Sequence, residues 1–322
     1  QCQKLSNPTI ARAISRDPRP TGFITQCYKY ICAIGAPEES SKEFLMKVDL
    51  HCHSYYSDGK HSPAFLISRA IANHLTLLAI TDHDCTAAFG NAADSDRRIE
   101  LICGVEISCS WQGKEIHIVG LCIDPLQPQL VQLLTQQQSS RYARMLQMDE
   151  KLQALGLTGL AEYCSSLPCQ SYTRSHVANF LVEQGISKNH QKAFKKFLGK
   201  RGRIYVDNNW CDMAEAIDTI HAAHGLAVLS HPGRYPLGKR QLEVLLDDFT
   251  SAQGDALEVS YGNIDPLTKA KLCELASSRQ LYYSVGSDFH DDDAHWTDVG
   301  KFPPLDAIAE KNAIWEHPGW HS

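Results

Sequence analysis

Residues 48 to 63 read VDLHCHSYYSDGKHSP. An apolar run leads into three histidines and two aspartates, and the stretch ends on Ser62-Pro63. The apolar run predicts a strand over 46–50. Ser62-Pro63 predicts a helix start, because the serine hydroxyl can cap free amides and proline at the first helical position lacks only an N–H that no helical bond needs. A strand, then polar groups, then a helix is the unit of a β/α fold, with the chemistry at the C-terminal end of the strand. On an extended chain, residues i and i+2 face the same way, so His51 and His53 can reach one metal ion while Cys52 points away.

The pattern recurs along the chain. Strands are expected at 46–50, 76–81, 101–107, 115–121, 226–230, 256–260 and 281–285, with helices between most of them. TLLAIT (76–81) is followed by Asp82, His83 and Asp84, and LICGV (101–105) by Glu106. AVLS (227–230) is followed by His231, and YYSVG (282–286) by Ser287, Asp288 and His290. All of these groups are expected at strand ends, on the rim where residues from different strands converge. WQGK (111–114) reads as a hairpin that interrupts the alternation.

The fold expected is therefore α/β: a distorted seven-stranded (β/α) barrel built from 46–124 and 225–302, with an inserted helical cap over 125–224. That insert reads as almost wholly helical, with Asp212 capping its last helix, and it is too long to be a simple crossover. Residues 1–45 show neither a helical nor a strand period, and Met46 directly precedes the first strand, so either the native start is expected near Met46 or residues 1–45 are a lineage-specific extension of unknown role. Residues 303–322 form a C-terminal segment with no readable motif.

A chain of 322 residues with 43% hydrophobic content can bury one large core or two modest ones. No run approaches the roughly 18 apolar residues of a membrane span, so no membrane helix is expected. Twelve cysteines without a CxxC pair suggest free thiols and a cytoplasmic location. Between Gln136 and Arg203 lie eleven Lys or Arg against four Asp or Glu, a local +7. Against the net −6 of the chain, this leaves −13 for the rest. An acidic body with a basic insert suits a site that holds cations on one side and grips an anionic substrate from the other.

Counting His117 of EIHIVG (115–120), nine candidate ligands converge, more than one ion can use, so two or three ions are implied. Imidazole and carboxylate without thiolate suit Mn²⁺, Fe²⁺ or Zn²⁺. Divalent ions clustered about 3.5–4 Å apart are a common device for attacking phosphate esters. Asp82 and Asp84 are expected to support the site rather than bind metal. His61, His74, His221 and His224 are read as loop or helix-surface residues.

The motifs DLHCHSYYSDG (49–59), AITDHD (79–84), GVEIS (104–108), EIHIVG, LSHPGRY (229–235) and GSDFH (286–290) together resemble the polymerase and histidinol phosphatase (PHP) superfamily of metal-dependent phosphoesterases. TRSHVANFLVEQG (173–185) and FKKFLGKRGRIYV (194–206) are similar to its bacterial branch that dephosphorylates nucleoside 3′,5′-bisphosphates and trims short RNA from the 5′ end. The resemblance implies three divalent ions, Mn²⁺ foremost. His51, His53, Glu106 and Asp288 would hold the first, Glu106, His117 and His231 the second, and Asp58, His83 and His290 the third. A bridging hydroxide held at Glu106, His117 and His231 would be the nucleophile. Arg174, His176 and Arg234 would grip the substrate, a small phosphorylated nucleotide or a short RNA 5′ end, with no membrane and no stable protein partner implied. The alternatives are a histidinol-phosphate phosphatase and a non-catalytic metal-binding module.

Overall fold

The computed structural model describes residues 46–92, 98–293 and 297–320. The expectations for residues 1–45 lie outside the described residues. The chain opens with strand β1 (Val48–Asp49), helix α1 (Pro63–Ala72), β2 (Leu77–Ile80) and α2 (Ala87–Ala92). As Ser62-Pro63 predicts, the Ser62 hydroxyl accepts from Phe65 N at 3.1 Å and Pro63 is the first helical residue. A long hairpin follows, β3 (Glu100–Trp111) and β4 (Lys114–Leu121). The insert then carries α3 (Pro128–Gln153), α4 (Leu160–Ser166), α5 (Arg174–Glu183), α6 (His190–Ala193) and a π-helical turn (Phe194–Leu198). The chain returns through β5 (Cys211–Asp212), α7 (Met213–Ala222), β6 (Leu226–Leu229), α8 (Lys239–Ser251), β7 (Ala256–Ser260), α9 (Pro266–Ser277) and β8 (Tyr282–Val285).

All seven expected strands form, in the order β1-β2-β3-β4-β6-β7-β8. The pairs β1–β2–β3 and β6–β7–β8 are parallel, whereas β4 is antiparallel to both β3 and β6. Backbone bonds from Leu50 N to Val285 O (3.1 Å), Asp288 N to His51 O (2.7 Å) and His53 N to Phe289 O (2.9 Å) nearly close β8 onto β1. Closure needs a tight passage at Gly286, where a Cβ would lie 2.3 Å from that of His51.

Two departures from the sequence reading matter for the site. The expectation that Glu106 ends its strand is corrected: β3 runs on to Trp111, fully paired with β4, so Glu106 lies mid-strand opposite Val119. The bridge from His83 to Glu106 shows that β2 stops at this level while the hairpin continues past the rim. The second departure is β5, a two-residue strand in a segment read as helical, which pairs Cys211 and Asp212 with Cys109 and Ser110 on the overhanging end of β3. Asp212 still caps the next helix, accepting from Ala214 N at 3.0 Å.

The main core packs the barrel strands, with Leu50, Ala79, Val105, Ile118, Val228 and Leu257 among its buried members, against helices that contribute Ile217, Phe249 and Leu272. A second core lies in the insert, around Met145, Leu152, Leu160, Phe180, Phe197 and Ile204. Helix α3 serves both: Leu130, Leu133 and Leu134 pack in the barrel core, Met145, Met148 and Leu152 in the other. Met213, Ile217 and Ile220 of α7 join the barrel core, so the part of the insert with its own core is shorter than 125–224. The C-terminal segment also joins the barrel through Leu305, Ala313, Ile314 and Trp320. No helix among the described residues is long and apolar enough to cross a membrane.

Candidate metal centre

The rim of the barrel gathers all nine sequence-derived ligand candidates into overlapping clusters. His51 and His53 follow β1 on one face, their Nε2 atoms 3.2 Å apart, and the Cys52 thiol turns away to donate to Ala79 O at 3.4 Å. Asp288 Oδ1 lies 3.4 Å from His51 Nε2 and 3.2 Å from His53 Nε2. Glu106 Oε1 is 3.3 Å from His51 Nε2, and Glu106 Oε2 is 3.4 Å from His53 Nε2. The same Oε1 lies 3.1 Å from His117 Nδ1 and 3.0 Å from His231 Nε2. Asp58 Oδ1 is 3.8 Å from His83 Nε2 and 3.4 Å from His290 Nε2.

These spacings match the edges of a coordination shell. Ligands about 2.0–2.2 Å from one ion stand roughly 3.0–3.5 Å from each other in octahedral or tetrahedral geometry. Hydrogen bonding does not account for the cluster: Asp58 Oδ1, His83 Nδ1, Glu106 Oε2 and His231 Nδ1 are buried without a hydrogen-bond partner. His83 Nδ1 and Glu106 Oε2 are only 3.0 Å apart, yet lack hydrogen-bond geometry. Buried polar atoms left this way are costly, and cations between them would satisfy them. The residues present therefore fit a multinuclear divalent metal centre.

The electrostatics point the same way. Burial would raise the Glu106 carboxyl, but His117, His51 and His83 hold it well below the usual range, so it stays anionic. Burial pushes His53 down to about 3 and His231 down to about 4, keeping both neutral as ligands must be. Burial also opposes charge on His51 and His117, but carboxylates outweigh it. Glu258 and Glu106 lift His51 to about 10, and Glu106 and Glu115 lift His117 to about 9. Three residues at this rim, Asp84, His231 and Asp288, have φ of 47°, 30° and 51°. A left-handed backbone is unfavourable for such residues and clusters at functional sites.

Supporting residues surround the ligands. Asp82 accepts from Ser54 N, Ser54 Oγ and Ser57 Oγ at 2.8, 2.6 and 2.6 Å, fixing the loop after His53. Asp84 receives Arg141 Nε at 2.7 Å and Ser108 N at 3.0 Å. Glu258, absent from the sequence reading, bonds His51 Nδ1 at 3.0 Å and accepts from His231 N at 2.5 Å. It sits on β7, the one barrel strand for which no polar group had been singled out, and that gap was the available signal. Tyr235, also missed, accepts from His117 N at 2.9 Å.

A pocket of about 250 Å³ opens over the cluster, lined by Asp58, His83, Glu106, His117, His231, Asp288 and His290 below and by Arg144, Arg174 and Phe194 of the insert above. Arg174 donates to Glu115 Oε2 at 2.9 Å, and Trp210 Nε1 donates to Glu115 Oε1 at 3.1 Å. Arg234 donates to Asp288 and to Gly262 O, with its guanidinium 5.0 Å from the Tyr261 ring. His176 lies away from this pocket. Its Nδ1 accepts from Thr173 N at 3.0 Å while Thr173 Oγ1 accepts from Ser175 N at 3.1 Å, a reciprocal cap that fixes the start of α5. His61 bonds Asp292 at 2.8 Å and His221 bonds Asp255 at 2.9 Å, both outside the cluster.

Comparison with known proteins follows the same lines. The family model described as PHP domain matches residues 49–223. The 5′-3′ exoribonuclease of Escherichia coli is 39% identical over 285 residues, covering 87% of this chain and 97% of that protein. The 3′,5′-nucleoside bisphosphate phosphatase of Chromobacterium violaceum is 38% identical over 279 residues, covering 84% of this chain and 96% of that protein. Among solved structures, an amidohydrolase from Chromobacterium violaceum with bound sulfate and no metal superposes with a TM-score of 0.77 at 38% identity, over 84% of this chain and 95% of the other.

Proposed function

Because the chain belongs to the PHP domain family, we propose that it is a metal-dependent phosphohydrolase acting on nucleoside 3′,5′-bisphosphates and on the 5′ ends of short RNA. The observation that carries this reading is the cluster of nine ligand-type side chains with unsatisfied buried donors and acceptors, facing a pocket roofed by arginines. His51, His53, Glu106 and Asp288 would hold one ion, Glu106, His117 and His231 a second, and Asp58, His83 and His290 a third. This donor set suits Mn²⁺, Fe²⁺ or Zn²⁺, and the family resemblance puts Mn²⁺ foremost. When bound, the ions supply an activated water and draw charge from the attacked phosphate.

The protein's own groups do the rest. Glu106, anionic and central, offsets the charge that two adjacent cations would concentrate. Glu258 fixes the ring of His51, and Tyr235 fixes the backbone at His117. Thr173 Oγ1 donates to Asp58 Oδ2 at 3.0 Å, joining the start of α5 to the third ligand set. The N-terminal end of α5 thus faces the pocket, where its dipole favours an anion. Arg174, held against Glu115, and Arg234, held against Asp288, are the readers of a second phosphate. The nine described cysteines are all free, which suits action in the reducing cytoplasm.

The test compares a nucleoside 3′,5′-bisphosphate with the monophosphate in wild type and in Arg174→Ala. A hydrogen bond to a charged group is worth about 1.5–3 kcal/mol. Arg174→Ala should therefore lower kcat/KM for the bisphosphate by roughly 10–100-fold and narrow its advantage over the monophosphate. Equal losses on both substrates would remove Arg174 as a phosphate reader. Absence of phosphate release by the Mn²⁺-loaded wild type would end the functional reading.

A further inference from the structure

Between Glu183 and Asp207 the chain has seven Lys or Arg and no Asp or Glu. Lys192, Lys195 and Lys196 recur at helical spacing across α6 and the π-helical turn, Lys188 stands just before α6, and all four are exposed. Phe197 and Leu198, on the other side of that turn, are buried in the second core, which fixes the lysine face outward. Lys200, Arg201 and Arg203 extend the face and are exposed as well. Among the described residues none of the seven is paired with a carboxylate, whereas Lys60 and Arg69, also exposed, are paired with Asp293 at 2.6 Å and Asp298 at 2.7 Å.

The position of this face gives it meaning. Phe194, the first residue of the π-helical turn, lines the metal pocket, and the Arg174 guanidinium stands 5.9 Å from its ring. The segment that carries the cations therefore touches the pocket through Phe194. Isolated π-helical turns are frequent at functional sites. Seven like charges within a few screening lengths repel one another, so the arrangement suits an extended polyanion laid across it. A mononucleotide seated in the pocket is too short to cover them.

We propose that this face docks single-stranded RNA downstream of the linkage held at the metal pocket, a role that rests on the phosphohydrolase reading above. Small bisphosphates then use the pocket alone, whereas RNA uses the pocket and the lysine face.

The experiment combines Lys192→Gln, Lys195→Gln, Lys196→Gln and Lys200→Gln in one variant. Binding of a fluorescent 5′-phosphorylated 12-nucleotide RNA is read by anisotropy, in EDTA and across a salt series, so that turnover plays no part. The variant should bind at least 10-fold more weakly at low salt. Its log–log salt slope should be shallower by up to roughly 3, at about 0.7 per lost phosphate contact. Its kcat/KM for the bisphosphate with Mn²⁺ should stay within about two-fold of wild type, and four Lys→Arg replacements at the same positions should retain RNA binding. An unchanged Kd for RNA overturns the proposal. So does a loss of bisphosphate turnover equal to the loss of RNA binding, which would mark a general field rather than a docking face. A defect seen only with phosphatidylserine vesicles assigns the face to membranes and overturns it too. RNA binding that depends on the lysines in a wild-type protein that hydrolyses nothing would uphold docking while ending the phosphohydrolase reading.

Discussion

Glu258 belongs to none of the candidate ion sets, yet it holds the His51 ring and the His231 backbone together. Glu258→Gln should weaken metal affinity by roughly 10–100-fold, as loss of an orienting partner commonly does. Glu106→Gln should cost more than that in both metal content and turnover, because the amide cannot offset adjacent cations. Elemental analysis and phosphate release on the two variants check this ranking. A second consequence concerns protons. His51 and His117, lifted to about 10 and about 9, carry protons at pH 7–8 in the metal-free protein and must lose them to coordinate an ion. Metal loading should therefore release protons and tighten as pH rises toward 9. Calorimetry in buffers of differing ionisation enthalpy measures the number released. At this scale the H-x-H pair was readable, because alternation along a strand dictates which side chains share a face. Arg141 was not: it counts as a basic residue of the insert, but its guanidinium is committed to Asp84 and Ser108, a pairing that depends on tertiary placement.

Strand and helix assignments followed from period and caps wherever a segment was long enough to show them. What escaped were features without a period. Strand β5 is two residues long and exists only because β3 overhangs the rim and offers it an edge. The overhang itself follows from full pairing of β3 with β4 after the tight turn, which no count of apolar residues reveals. Between elements, His221 of α7 bonds Asp255, the residue just before β7, and Asp255 also accepts from Ala227 N at 2.7 Å. The bond to Asp255 raises His221 above the ordinary 6.5. Its contribution to stability is thus complete below pH 6.5 and fades as pH rises through the folded-state value. His221→Gln should flatten the stability profile above about pH 6.5, with its largest deficit at the acid end. Denaturant titrations at several pH values test this.

Across the molecule, the candidate ligands come from the ends or interiors of β1, β2, β3, β4, β6 and β8, and a bound cluster would tie six strands at one rim. Metal bound to the folded state alone stabilises it by about 2.7 kcal/mol at 100 times Kd. Adding Mn²⁺ to metal-free protein should raise Tm by roughly 5–10 °C, and EDTA should reverse it. The barrel and its rim were legible because chemistry-bearing motifs punctuate the strands. The extent of the insert was harder to read, since α7 looks like the helices before it yet packs Ile217 and Ile220 into the barrel core.

Helix α3 has a consequence for how chain length can vary. Because β4 runs backward, the chain leaves it at the foot of the barrel, where Asp124 N meets Ala223 O at 2.8 Å. The 26 residues of α3 climb about 39 Å from there at 1.5 Å each. Gln137 is clasped along the way, donating to Ser108 O at 2.6 Å and accepting from Cys211 N at 3.2 Å. From that clasp to Met145 the helix acts as a ruler and a compass at once. One residue more or less would turn everything beyond it by about 100° and shift it by about 1.5 Å, carrying Arg174 off the pocket. Insertions and deletions among relatives should accordingly gather in the turns at 154–159 and 184–189 and spare 137–145, a pattern that an alignment of the family can check.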